Sequence, residues 1–249
     1  MSKKLTNVKK ITQRSKSKGG PMNHTKAIGI ALASVLLGGG ALALAGYSLA
    51  SATPHQTAQK CVPNPTQAGH CTLTISSYPD SLAGEHGTTG GAHPDWVSYM
   101  NQDLSVPTNT VIDVVVNQYD SGEKLNNIFF DQVMGTVGNV ATYDGVTMSK
   151  VSPDHVAHTF TLRGYPGIDG QSGKRLFVNV PLPANEGDNA VKIGSGEYPK
   201  PLVVKFSFKT GSKGVYQWNC EYPCGSSRVG QFGFAMSSYG YMSGTLTVE

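Results

Sequence analysis

The stretch Tyr216-Gln217-Trp218-Asn219-Cys220-Glu221-Tyr222-Pro223-Cys224-Gly225 decides how this chain is read. It has the form of a strand that delivers one cysteine into a loop, with a second cysteine four residues later. Residues two apart on a strand point the same way, so Trp218 and Cys220 share a face. Upstream, His158 shares a face with Phe160, and downstream Met242 shares one with Leu246 and Val248. If these are core faces, an imidazole, a thiol and a thioether all point inward near strand ends, where loops can close over them.

The same period of two recurs through the chain. Leu73 and Ile75 alternate with Thr72 and Thr74, and Ile112, Val114 and Val116 follow the turn-like Val106-Pro107-Thr108-Asn109. His158, Phe160 and Leu162 oppose Thr159 and Thr161, and Leu176, Val178 and Val180 form another set. Leu202, Val204, Phe206 and Phe208 face in while Lys205 and Lys209 face out. Thr210-Gly211-Ser212-Lys213-Gly214 then predicts a hairpin into Val215–Cys220, and Tyr143-Asp144-Gly145 predicts a second. Glu123 to Met134 reads as a short helix or an irregular excursion. Past residue 52 no helical period is sustained, so the expectation is an all-β chain of seven or so strands forming a Greek-key β-sandwich.

Residues 1–26 hold eight of the 20 Lys and Arg and no acid, and from Ala27 to Ala52 there is no charge. A basic head before an uncharged Ala/Leu/Gly run predicts a signal peptide or a membrane anchor over 27–52. Ala50-Ser51-Ala52 favours cleavage, whereas the length of the run favours retention. Residues 53–71, rich in Pro, Thr and Gln, read as a linker, and 72–249 as the folded domain. The remaining 12 bases face 16 acids, which excludes a nucleic-acid partner argued from net charge. Cys61 and Cys71, ten residues apart in an extracytoplasmic compartment, predict a disulfide, with a metal role for His70-Cys71 as the alternative.

Histidine, thiolate and thioether in that order suit copper: sulfur donors hold soft Cu(I), and imidazole serves both oxidation states. Cys220 to Gly225 resembles the copper-binding loop of subunit II of haem–copper oxidases, and residues from about 106 onward resemble the cupredoxins. The family pattern is Cys-x-x-x-Cys-Gly-x-x-His-x-x-Met with an earlier histidine on a strand. The resemblance implies His158 as first ligand, Cys220 and Cys224 as thiolate ligands, Gly225 as the turn glycine and a cupredoxin-like sandwich. Arg228 stands where the family has its second histidine, Gln231 where it has methionine, and Tyr222 where it has an acid. With two family ligands absent, the expected site holds one copper ion between His158, Cys220 and Met242 or Met236, with Cys224 as a fourth ligand.

The expected role is single-electron transfer with an unidentified redox protein partner, as a carrier or an oxidase-subunit-like domain rather than a stand-alone enzyme. A Cu(I) delivery protein and a metal-free scaffold with a Cys220–Cys224 disulfide stand as alternatives. His155, His86 and His93 are lesser ligand candidates. No phosphate loop, nucleophile elbow or HExxH motif is present.

Overall fold

The structure, a computed structural model, describes residues 58–80, 82, 96–122, 126–164, 175–193, 196–225, 233–237 and 241–249. All belong to the compact unit His55–Glu249. The signal or anchor segment, His86, His93, Arg228 and Gln231 lie outside the described residues. The strands are β1 (Gln59–Lys60), β2 (Val62–Pro63), β3 (His70–Tyr78), β4 (Ser98–Met100), β5 (Leu104–Val106), β6 (Val111–Gln118), β7 (Ala141–Tyr143) and β8 (Val146–Met148). They continue with β9 (Val156–Gly164), β10 (Leu176–Pro183), β11 (Ala190–Ile193), β12 (Gly196–Pro199), β13 (Leu202–Lys209), β14 (Gly214–Asn219) and β15 (Ser243–Val248). A single helical turn, α1 (Phe234–Ser237), precedes β15.

Two sheets carry the core. One has the order β1-β5-β15-β14-β9-β10 and the other β2-β3-β6-β13-β7-β8, with β4 also paired to β3. β11 and β12 form a separate ribbon. Alternation in β6 and β13 buries Ile112, Val114, Val116, Val204, Phe206 and Phe208 against the other sheet. The Phe160 ring on β9 meets Phe206 on β13 at 5.2 Å and stacks on Trp218 of β14 at 5.1 Å, so aromatic rings bridge the two layers. The Tyr99 hydroxyl donates to the Thr159 carbonyl at 2.8 Å, and the Tyr143 hydroxyl donates to the Pro181 carbonyl at 3.1 Å. Among the described residues no helix is long and apolar enough to cross a membrane.

Several expectations change. Thr210–Gly214 is not a hairpin turn: β13 and β14 lie in different sheets, so the chain crosses the sandwich there. The Thr210 hydroxyl donates within the Pro107/Thr110 turn, at 2.7 Å to the Pro107 carbonyl, anchoring the crossing to the end of β5 and the start of β6. Gln59–Lys60 and Val62–Pro63, inside the stretch read as linker, pair with β5 and β3. The expected Cys61–Cys71 disulfide is present and ties β3 to the segment before it. Thr159 and Thr161 are not a solvated face. They are fully buried, bonded to each other and to Asn179, whose amide donates to the Phe130 and Gln132 carbonyls. The 126–134 excursion is irregular, not helical, and covers that face. The Tyr143-Asp144-Gly145 hairpin forms as expected, with Asp144 and Gly145 both at positive φ.

β15 lies beside Trp218 because Gly244, its register partner, has no side chain. A Cβ there would sit 2.0 Å from the Gln102 carbonyl oxygen, which accepts from the Trp218 indole N–H at 2.7 Å. Gly244→Ala is therefore expected to destabilise the fold by about 1–3 kcal/mol, the usual cost of overpacking. Thermal unfolding checks this; an unchanged midpoint would show that the strand moves aside freely.

Candidate metal centre

Strand β14 ends at Asn219, and the next residue, Cys220, is held at the strand's exit by its N–H, which donates to the Met242 carbonyl at 2.9 Å. The Met242 N–H donates to the Ala235 carbonyl at 3.1 Å, and the Ala235 N–H donates to the Cys224 carbonyl at 3.1 Å. These three backbone bonds stitch the cysteine loop, α1 and the start of β15 around one pocket. Across it stands His158 of β9. His158, Cys220 and Cys224 are all buried, and their ligating atoms lie within 4.8 Å of one another. No other such group of three occurs among the described residues.

The two cysteines are free thiols, so the disulfide alternative is not what this fold adopts. The His158 Nδ1 is 3.7 Å from the Cys220 sulfur, while its Nε2–H donates to the Asp120 carboxylate at 2.6 Å. Asp120 is a site residue that the sequence reading did not single out. It continues the inward parity of Ile112, Val114, Val116 and Gln118 just past β6, and that parity is the signal that could have found it.

Electrostatics follow from the geometry. Burial works against a charged His158, but the hydrogen bond to Asp120 and the neighbouring Cys220 outweigh it and hold the ring's pKa up at about 9. Burial likewise opposes the Cys220 thiolate, yet the S–H of Cys224, His158 and the Thr159 N–H together bring that thiol well below its ordinary range. The hydrogen bond it makes to Cys220, then burial, push Cys224 upward. Burial opposes Asp120's charge too, and its hydrogen bond with His158 nonetheless holds the carboxyl low. One contact pulls the other way: the Cys220 sulfur lies 3.2 Å from the Tyr222 carbonyl, which only a protonated thiol satisfies. Cys224, His158 and the Thr159 N–H thus favour the thiolate, and the Tyr222 carbonyl favours the thiol.

Met242 is fully buried in the same apolar cluster as Cys220, Cys224 and Tyr222. Met236, in α1, packs half-buried against that cluster. His155 sits at the surface, 3.1 Å from Asp154, and is not part of the group. His70 bonds Asp113 at 2.9 Å, and Cys71 is in the disulfide, so that pair is structural.

No family model matches the chain, and no curated protein matches it. Among solved structures, auracyanin B is similar to it at 16% identity, with a TM-score of 0.32 over 80% of this chain and 95% of that one. The chemistry of the site is therefore carried by its own atoms. Two buried sulfur donors and one buried imidazole fit a copper ion better than a hard, oxygen-seeking cation.

Proposed function

We propose that this chain is an exported, cupredoxin-like protein that binds one copper ion and passes single electrons, as a free carrier or an oxidase-subunit-like domain near a respiratory chain. His158 supplies the imidazole, Cys220 the thiolate, Cys224 a second sulfur, and Met242 or Met236 a thioether. When bound, copper supplies a one-electron couple between Cu(I) and Cu(II). The protein's part is to keep the donors buried and fixed, so that little rearranges between the two states. The observation that carries this reading is the buried His158–Cys220–Cys224 group with its donor atoms within 4.8 Å. Export is supported by the Cys61–Cys71 disulfide, a bond of oxidising compartments. Attachment to a membrane is supported by the basic head and uncharged run at the N-terminus.

Adding Cu(II) to the protein after reducing its thiols is expected to give an intense visible thiolate-to-copper band. A protein that stays colourless and retains no copper would end this reading. The pair of thiols beside a single imidazole favours a second reading, Cu(I) binding and delivery without redox turnover. Tight Cu(I) retention with no stable Cu(II) spectrum separates it from the first.

A further inference from the structure

We propose that Asp120 is the positioning residue of this centre: its carboxylate captures Nε2 of His158 and thereby fixes Nδ1 as the nitrogen presented to the two thiols. Its consequence for metal affinity rests on the copper reading above, whereas its control of the ring does not.

An imidazole has two nitrogens, and the group bonded to one decides which is left to bind a metal. In this pocket the two are already assigned. Nε2 is 2.6 Å from Asp120 Oδ2, and Nδ1 is 3.7 Å from the Cys220 sulfur. The ring is 1% exposed, so no solvent competes for either nitrogen. Were the carboxylate absent, a half-turn of the ring, which would aim a carbon at the thiols, would break no hydrogen bond at Nε2.

Asp120 is itself held for this task. It lies past the end of β6 in one sheet and reaches His158 on β9 of the other, so the bond spans the sandwich. The Gly122 N–H donates to Asp120 Oδ2 at 3.1 Å. The Asp120 carbonyl accepts from the Gln118 amide at 2.8 Å and from the Asn185 N–H at 3.1 Å. The Asn185 side chain in turn donates to the Gln118 and Lys200 carbonyls, both at 3.0 Å. Gly122, at φ +57°, lies so close to β9 that a Cβ would come within 2.3 Å of the Ala157 Cβ. The backbone carrying Asp120 is thus pressed flush against the strand that carries the histidine. A carboxylate on the outer nitrogen also strengthens the inner one as a donor, the usual role of such a partner at a metal site.

The test uses the full chain. In the metal-free protein, nitrogen-15 NMR should show a deshielded, slowly exchanging His158 Nε2–H. Asp120→Ala should abolish that signal, and Asp120→Asn, whose amide oxygen still accepts the bond, should keep it with faster exchange. In a copper titration under reducing conditions, Asp120→Ala should bind about 10–100-fold more weakly than wild type. Asp120→Asn should fall between the two. If the His158 ring signal is the same in wild type and Asp120→Ala, the proposal is overturned. Equal copper affinity of the two proteins overturns it too. A wild type that binds no copper at all ends the copper reading instead, and the ring signal then decides the role of Asp120 on its own.

Discussion

Cys220→Ser is expected to abolish the visible copper band and to strip the protein of copper on desalting. The band arises from charge moving between a thiolate and the metal, and a serine hydroxyl offers neither the electrons nor the soft donor that Cu(I) prefers. The substitution is close to isosteric, and a hydroxyl can donate to the Tyr222 carbonyl, which lies 3.2 Å from the sulfur. The fold should therefore survive, which makes loss of metal interpretable. Losing a ligand should weaken binding by more than the roughly 100-fold seen at most for an outer partner. Cys224→Ser should weaken binding less, because the same pocket still holds the lower-pKa thiolate against His158. Metal analysis and the visible spectrum, taken together, check both variants. Undiminished colour in Cys220→Ser would remove the thiolate from the centre.

The second large effect is on acid–base behaviour of the metal-free protein. At neutral pH the ultraviolet absorbance should already report one thiolate per chain, and it should disappear only on acidification. His158→Gln removes the imidazolium, and the Cys220 thiol should then titrate at higher pH than in the wild type. Stability follows by linkage. The His158 pKa is raised from 6.5 to about 9, so its contribution is complete below 6.5 and lost as pH rises through 9. The Cys220 pKa is lowered, so its contribution is complete above the ordinary thiol value and lost as pH falls towards the folded one. Between 6.5 and the ordinary thiol value of about 8.5, folding takes up a proton at the ring and releases one at the sulfur. The two slopes oppose each other there. The pair should therefore give a plateau in thermal midpoint over that window, with decline on both sides. A midpoint that climbs steadily through it would mean that the sulfur gives up its proton while the ring stays neutral, and the absence of the thiolate absorbance at neutral pH would mean that the Tyr222 carbonyl keeps the thiol protonated.

Much of this was legible because the strands are one-sided. In β6 and β13 every second residue is buried, and the pattern is written directly in Ile112-x-Val114-x-Val116 and Val204-x-Phe206-x-Phe208. The inward parity of His158 and Cys220 was legible for the same reason, and the fold brings them together. What failed was anything set by distant chain. Thr210–Gly214 has the chemistry of a hairpin turn, but turn chemistry is local and does not say which sheet the next strand joins. Thr159 and Thr161 look like a polar face, and only the remote 126–134 segment turns them into an interior network. Asp120 follows the inward parity of β6, but nothing local announces that its carboxylate crosses the sandwich to an imidazole.

The backbone stitching around the thiol pocket has one more consequence. The Gly233 N–H donates to the Gly225 carbonyl at 2.9 Å, so with the Ala235 N–H on the Cys224 carbonyl the end of the cysteine loop is bonded twice to the start of α1. Main-chain bonds rather than a metal ion therefore draw these segments together, so the loop keeps its shape in the metal-free protein and little ordering entropy is lost when an ion enters.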